Sequence, residues 1–221
     1  PNLIILDTGE ESGSQAFDKL SDTLKSAGMK VSTVVVDLND EEFAIKLAEM
    51  LEPGYQNIFM AKSPSSSALY TILPILQLVN RAKDPSIETH LFGYPEYQVF
   101  AMDHMDEFHE VDTWFYSWFY TNNKLEQSQK FNASFRQAYS RQMMQSFPSF
   151  AEYGYDMASY FLNGIAKYGD RLSDNLDRIK SDPIQMGFRF QRAGSNGGFV
   201  NRKVFFIHMS DQYQTEKIDF D

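Results

Sequence analysis

A serine-rich turn is the first feature of this sequence that could do chemistry. Residues 62–67 read KSPSSS, and they follow a short apolar run, Ile58 to Ala61, that has the length of a buried strand. The turn leads into a long apolar segment, Ala68 to Val79, which is too long for an ordinary strand and predicts a helix. Because open α/β sheets bind ligands outside the carboxyl ends of their strands, Ser63 and Ser65 are candidate ligand contacts.

The same serines also have a purely structural interpretation. Ser65 or Ser66 could act as an N-cap, accepting hydrogen bonds from the free backbone N–H groups of the helix that follows. Turns between a strand and a helix favour such residues whether or not a ligand binds there. Both roles stay open on the sequence alone.

A second polar loop follows the first predicted strand and precedes a helix, as a phosphate-binding loop would. It reads GEESG from Gly9 to Gly13. Its two glutamates would repel an anion, so the loop is better suited to an amino or hydroxyl group of a ligand.

Catalytic and metal-binding patterns are weak. His104 and His109 lie among acidic residues, but their spacing matches neither H-x-x-x-H nor H-E-x-x-H, so a solvated acidic face is the simpler interpretation. A further hypothesis is an α/β enzyme that uses His104 or His109 with nearby carboxylates. His90 and His208 lie in apolar strands and are interpreted as hydrogen-bonded structural histidines. The sequence contains neither a G-x-S-x-G elbow nor a P-loop. We therefore predict a protein that is not an enzyme and needs no cofactor.

Composition narrows the classes of partner. The chain has 221 residues, a net charge of −10 and no cysteine. Nucleic acids and anionic membranes bind proteins through a basic surface, so an acidic chain is a poor match for either as its main partner. Without cysteine, disulfides, thiolate catalysis and cysteine-bound zinc are excluded. No apolar run reaches the length of about 18 residues that a membrane-spanning helix needs.

The order of the predicted elements indicates the fold class. The first 95 or so residues alternate strand, helix, strand, which predicts a doubly wound parallel sheet with helices on both faces. Asn39 and Glu42 have the spacing of a capping box, and Pro74 should kink or end its helix. After these come an aromatic strand, predicted at Asp112 to Tyr120, and three helices, predicted at Asn122 to Met144, Phe150 to Tyr168 and Leu172 to Lys180. A hairpin is predicted from Pro183 onward, around the turn at 195–198. The aromatic strand is either buried core or one wall of a ligand cleft.

Several stretches of the sequence resemble the type 1 periplasmic-binding fold of branched-chain amino-acid receptors. They are the opening from Leu3 to Val36, GYPEYQVF with the following DTWFYSWFY, FPSFAEYGYDMASYFLNGI from Phe147 to Ile165, and GGFVNRKVFFIHM. The later stretches are most similar to the receptor-like region of LysM-containing envelope proteins of Bacteroidetes. Within them, YGYD at Tyr153 to Asp156 resembles the family helix that carries a Tyr–Asp pair.

The resemblance implies a doubly wound αβα lobe and the remainder of a second lobe. Residues 1–111 would form the αβα lobe, residues 112–182 the aromatic strand and helices of the partial lobe, and residues 183–221 a hairpin returning to the αβα lobe. The opening part of the other lobe, and any signal segment, would precede Pro1 in a longer protein. We therefore expect an exposed apolar surface on the aromatic strand and the Phe150 helix, and a homodimer formed through it.

The family's ligand contacts correspond to the turns at Ser12 and Gly13, Ser63 to Ser65, and Tyr94 to Glu96. By resemblance, Tyr94 and Glu96 would hold a ligand's ammonium group through cation–π and charge interactions. The implied function is non-catalytic binding of an amino-acid-like or peptidoglycan-derived solute in the periplasm or cell envelope, for delivery to an ABC transporter. The alternative is a receptor-like scaffold beside a peptidoglycan-binding LysM module, with no small-molecule ligand.

Overall fold

The computed structural model describes residues 1–10, 14–195 and 197–219, with the side chains of residues 14–16 left out. It divides into two compact units. The first consists of Pro1–Tyr116 and Phe206–Ile218, and the second of Ser117–Phe205 with the chain end from Asp219.

The strands and helices follow one another in the predicted alternation. In chain order the strands are β1 (Asn2–Asp7), β2 (Lys30–Val35), β3 (Asn57–Ala61), β4 (Thr89–Gly93), β5 (Thr113–Ser117), β6 (Phe190–Arg192), β7 (Phe199–Asn201), β8 (Phe205–Met209) and β9 (Thr215–Asp219). The α-helices are α1 (Ser14–Ser26), α2 (Phe43–Glu49), α3 (Ser66–Ala82), α4 (Tyr97–Phe100), α5 (Met105–Glu110), α6 (Glu126–Tyr139) and α7 (Phe150–Tyr168).

Seven of the strands form one sheet in the order β2-β1-β3-β4-β5-β8-β9. The ladders from β2 to β5 are all parallel, with Ile5 opposite Thr33 on one side and Met60 on the other. This confirms the predicted α/β class with a doubly wound parallel sheet. The order reverses between β1 and β3, since the chain moves outward to β2 and then returns to the other side of β1. Such a switch point is where open α/β sheets bind ligands.

The core of the first unit explains why these segments fold as they do. In β1, residues Leu3 to Leu6 are all buried, as expected for a central parallel strand covered on both faces. Helix α3 covers part of the sheet with an apolar stripe of seven buried residues, including Leu69, Ile72 and Leu76. Apolar burial of this kind is the main favourable term that holds the layers together.

The predicted capping box was wrong, and one of the two outcomes expected at Pro74 does not occur. Helix α2 has no side-chain cap, because Asp37 and Asp40 accept the N–H groups of Asn39 and Glu42 at 2.9 and 3.1 Å. Pro74 does not end its helix, since α3 runs unbroken from Ser66 to Ala82. The missing N–H of a proline removes a single backbone bond, and the buried stripe of α3 outweighs that loss.

The aromatic segment and the helices after it also differ from the prediction. Strand β5 stops at Ser117, and Phe119 makes only an isolated bridge to Met186. Helix α6 is shorter than predicted because Ser140 adopts a left-handed conformation directly after it. In place of the short α-helix there are two 3-10 turns, Gly169–Asp174 and Leu176–Arg178, whereas α7 has the predicted limits.

A buried carboxylate joins two segments of the second unit. The two oxygens of Asp156, on α7, accept the backbone N–H groups of Ile184, Gln185 and Met186 at 2.7, 2.9 and 2.9 Å. These bonds fix a bend at Ile184 and Gln185, which is followed by the isolated bridge of Met186 to Phe119. The predicted hairpin follows it, as β6 and β7 pair antiparallel with Arg192 opposite Phe199. The carboxylate of the YGYD stretch thus has a structural role.

Candidate functional site

The switch point between β1 and β3 brings two turns of the first unit together. Asp7 is the last residue of β1 and Glu10 lies in the turn after it, whereas Lys62, Ser63 and Ser65 lie in the turn after β3. Since β1 and β3 are parallel neighbours, both turns lie at the carboxyl edge of the sheet. We call these five residues the switch-point cluster.

An ion pair joins the two turns. Lys62 Nζ donates to Asp7 Oδ2 at 2.6 Å, and the other oxygen of Asp7 accepts the Gly9 N–H at 2.9 Å. The bond from Lys62 is the main reason that the pKa of Asp7 lies below its ordinary value, with the Gly9 N–H adding to it. Gly9 has φ +80°, a conformation that favours glycine and lets the turn fold back onto Asp7. Asp7 is therefore ionised at neutral pH.

The serine turn holds a carboxylate of the same chain. Ser63 Oγ and Ser65 Oγ both donate to Glu10 Oε2, at 2.7 and 2.6 Å. Hydrogen bonds from Ser65, then Ser63 and Ser67, lower the pKa of Glu10. Ser65 Oγ also accepts the Ala68 N–H at 3.0 Å, which confirms it as the N-cap of α3. A cap and a carboxylate contact are thus combined in one side chain.

The third turn that was predicted to contact a ligand follows β4, and one of its two predicted contact residues is buried. The Tyr94 hydroxyl donates to the Ala61 carbonyl at 2.6 Å, and the residue is only 8% exposed. Burial raises its pKa, with smaller contributions from Tyr116 and Glu96. Glu96 is exposed and makes no capping bond to α4. Glu96 can therefore meet a ligand directly, whereas Tyr94 supports the end of β3 from inside. Ser12 and Gly13 lie outside the described residues.

A cavity of about 380 Å³ lies in the first unit between α1 and the sheet. Its volume falls in the usual range for small-molecule sites, roughly 300–1,000 Å³. Its lining carries charges of both signs and is formed by Ile5, Phe17, Asp18, Ser21, Asp22, Lys25, Thr33 and Lys62. Lys62 is therefore shared between the cavity and the switch-point cluster.

Sequence reasoning found the serines but missed what they contact. Glu10 and Ser65 are 55 residues apart, and Lys62 and Asp7 are equally far apart. Only the strand order makes these turns neighbours. One signal for the ion pair was present in the sequence. Asp7 ends one strand and Lys62 directly follows another, and a doubly wound fold places these two strands side by side.

Three of the histidines, His90, His109 and His208, make structural hydrogen bonds. His90 Nδ1 and His208 Nε2 each donate to one oxygen of Asp112, the latter at 2.7 Å, and Trp114 stacks on His208 with ring centroids 3.9 Å apart. The structural interpretation of His90 and His208 is confirmed. His109 Nδ1 donates to the Ser210 carbonyl at 2.7 Å. Among the described residues, no three His, Asp or Glu side chains are grouped to hold a metal ion, and no helix is long and apolar enough to cross a membrane.

Comparisons with known proteins find similarity in structure alone. No protein-family model matches the sequence, and no curated protein matches it. A fatty acid ABC transporter substrate-binding protein from Thermomonospora curvata aligns over 99% of the chain with 13% identity and a TM-score of 0.43. A substrate-binding periplasmic protein from Ralstonia solanacearum aligns over 98% with 10% identity and a TM-score of 0.48. The chain spans 56% and 61% of the lengths of these two proteins.

Proposed function

We propose that this protein is a non-catalytic, receptor-like domain that binds a small zwitterionic solute of the amino-acid kind. The observation that carries the proposal is the position of Lys62, which lines the 380 Å³ cavity and belongs to the charged cluster at the sheet's switch point. The sequence resemblance to amino-acid receptors supports the same function. It also supports a periplasmic or envelope location and delivery of the solute to a membrane transporter.

The charges of the site suit a ligand with one group of each sign. The Lys62 ammonium is the group that would pair with a ligand carboxylate. The Glu10 carboxylate, whose lowered pKa keeps it ionised, would pair with a ligand ammonium, and Glu96 would offer a second carboxylate. Ser63 and Ser65 then act by orienting Glu10. Ser12, Gly13 and Tyr94 remain proposed contacts from the resemblance.

Isothermal titration calorimetry of the whole chain with a panel of amino acids and peptidoglycan fragments tests this function. We expect saturable heat from at least one zwitterionic solute and at least about 10-fold weaker binding by Lys62→Ala, since charge-assisted bonds to carboxylates are among the stronger polar contacts. Lys46→Ala is the matched control, because Lys46 also pairs with an aspartate at 2.6 Å but does not line the cavity. Absence of heat from every solute at millimolar concentration refutes the proposal.

A scaffold without a small-molecule ligand is the alternative. One observation favours it: the hydroxyls of Ser63, Ser65 and Tyr94 are already bonded within the chain. Such a domain would sit beside a peptidoglycan-binding LysM module and contact wall or protein partners. Capture of peptidoglycan or a protein by the longer protein, combined with silent calorimetry, distinguishes this alternative from the receptor.

A further inference from the structure

Helix α7 of the second unit is amphipathic in the reverse of the usual sense. The residues it buries are Glu152, Asp156, Tyr160 and Gly164, which recur every four residues along one face. Its opposite face carries Ala151, Tyr155, Ala158, Leu162 and Ile165, and all but the first are exposed. A surface helix normally turns its apolar stripe inward, so this outward stripe requires another partner. We call these five residues the α7 stripe.

The spacing of the α7 stripe matches a helix-pairing seam. Its members follow one another at intervals of 4, 3, 4 and 3 residues, the repeat that keeps one side of a helix against a neighbouring helix. Gly154 borders the stripe, and a Cβ placed there would meet nothing within 4 Å. With Ala151 and Ala158, it leaves room for another helix to approach closely.

The apolar surface extends beyond α7. Tyr155 contacts Phe131 of α6 with ring centroids 4.9 Å apart, and the ring contacts continue through Phe135 to Tyr139. Phe150, Tyr155, Leu162, Ile165 and Tyr139 are 63, 46, 64, 53 and 61% exposed. At roughly 150 to 200 Å² for each large side chain, these five expose about 500 Å². That is a large part of the roughly 800 Å² that each partner buries in a standard interface, before the small residues are counted.

Charge favours a second copy of this chain as the occupant. The chain carries a net charge of −10, so most of its surfaces would repel one another on self-association. Between Phe150 and Ala166, the charged residues of α7 are Glu152 and Asp156, and both are buried. The stripe is therefore a face through which two acidic copies can meet without opposing like charges.

We propose that this chain forms a two-fold symmetric dimer in which the α7 stripes of two copies pack against each other. In such a pair the same residues meet across the axis. Ala158 lies at the middle of the stripe and close to that axis. The dimer does not depend on the proposed solute function, because no residue of the switch-point cluster takes part.

Sedimentation velocity of the whole chain from about 1 to 100 µM tests the dimer. We expect a mass that rises to that of two chains, and a Leu162→Glu variant whose dissociation constant is raised roughly 100-fold, because two leucines leave the interface. Leu78→Glu is the matched control, since Leu78 is also an exposed helical leucine but belongs to the first unit. Circular dichroism melting of both variants should match that of the unmodified protein.

Two further measurements complete the test. Because the chain has no cysteine, Ala158→Cys should give a disulfide-linked dimer on mild oxidation, whereas Ala27→Cys, an exposed alanine of the first unit, should not. Dimerisation should also change little between 50 and 500 mM salt, as expected of an uncharged interface. A one-chain mass at every concentration, a dimer that survives Leu162→Glu, or dissociation driven by salt overturns the proposal.

Discussion

Removal of the Asp156 carboxylate should destabilise the protein more than any other single polar truncation in the second unit. Asp156 is 1% exposed and accepts three backbone N–H groups, each at 2.9 Å or less. A buried N–H left without an acceptor costs about 1–3 kcal/mol. Asp156→Ala leaves three such groups, so we expect a loss of about 3–9 kcal/mol from the free energy of unfolding. That is a large fraction of the roughly 5–15 kcal/mol of a typical protein.

Asp156→Asn should destabilise the protein less than Asp156→Ala, because it keeps part of the hydrogen bonding. Oδ2 of Asp156 accepts two of the N–H groups and Oδ1 accepts the third, from Ile184. The asparagine carbonyl can replace Oδ2 and keep two bonds, while its NH₂ group then faces the N–H of Ile184. We expect a loss of about 1–3 kcal/mol, intermediate between alanine and the unmodified protein.

Urea unfolding followed by fluorescence and circular dichroism measures these losses, and hydrogen exchange locates them. The amides of Ile184, Gln185 and Met186 should exchange much faster in Asp156→Ala, with little change in the core of β1. Asp170→Ala is the matched control, because Asp170 is exposed and its truncation should change stability by no more than about 0.5 kcal/mol. A loss below about 1 kcal/mol in Asp156→Ala refutes the reasoning.

Two further predictions concern the first unit. A Cβ added at Gly93 would lie 2.0 Å from Cε2 of Tyr97, whose ring is buried and stacked on Phe108, so Gly93→Ala should cost at least about 1–3 kcal/mol in urea unfolding. Gly198→Ala, which meets nothing within 4 Å, is its control, and equal losses would contradict the prediction. Burial raises the pKa of Asp112, but the hydrogen bonds from its two histidine partners outweigh this effect and bring that pKa below its ordinary value of 3.8. The ionised Asp112 therefore stabilises the folded protein at pH values above 3.8. This stabilisation is lost as the pH falls through the pKa that Asp112 has in the folded state. Asp112→Asn should lower the free energy of unfolding by about 1 kcal/mol at pH 7. Below about pH 4, the free energy of unfolding of the variant should fall less steeply than that of the unmodified protein. Urea titrations at a series of pH values measure both quantities. Parallel pH profiles of the two proteins would contradict that assignment.

The elements that the sequence predicts well are those whose signal is local. The apolar runs of β1 and β3 are recognisable because buried parallel strands are continuous apolar segments in the sequence. The limits of α7 and the N-cap at Ser65 were also correct, since capping and helical length depend on neighbours along the chain. The capping box at Asn39 failed and the helix does not end at Pro74 for a common reason: a competing contact, the aspartates in one case and the buried stripe of α3 in the other, outweighed the local preference.

The candidate site was only partly accessible from the sequence because its contacts are long-range. The serine turn was found by its composition. The bonds from it to Glu10 depend on β3 pairing with β1, which no local pattern encodes. The exposed apolar residues of α7 were expected on grounds of resemblance, and Phe150, Leu162 and Ile165 are indeed exposed. The reason for their exposure, a polar stripe that is buried instead, is visible only in three dimensions.

The strand order has a consequence for how the chain is made. Strand β5 is flanked in the sheet by β8, yet 87 residues separate the end of one from the start of the other. During synthesis, the aromatic β5 therefore remains an unpaired edge of the sheet until β8 has been made. Unpaired apolar edges promote aggregation of nascent and truncated chains. Loss of β8 should thus strongly reduce soluble yield, because β5 then stays an unpaired edge.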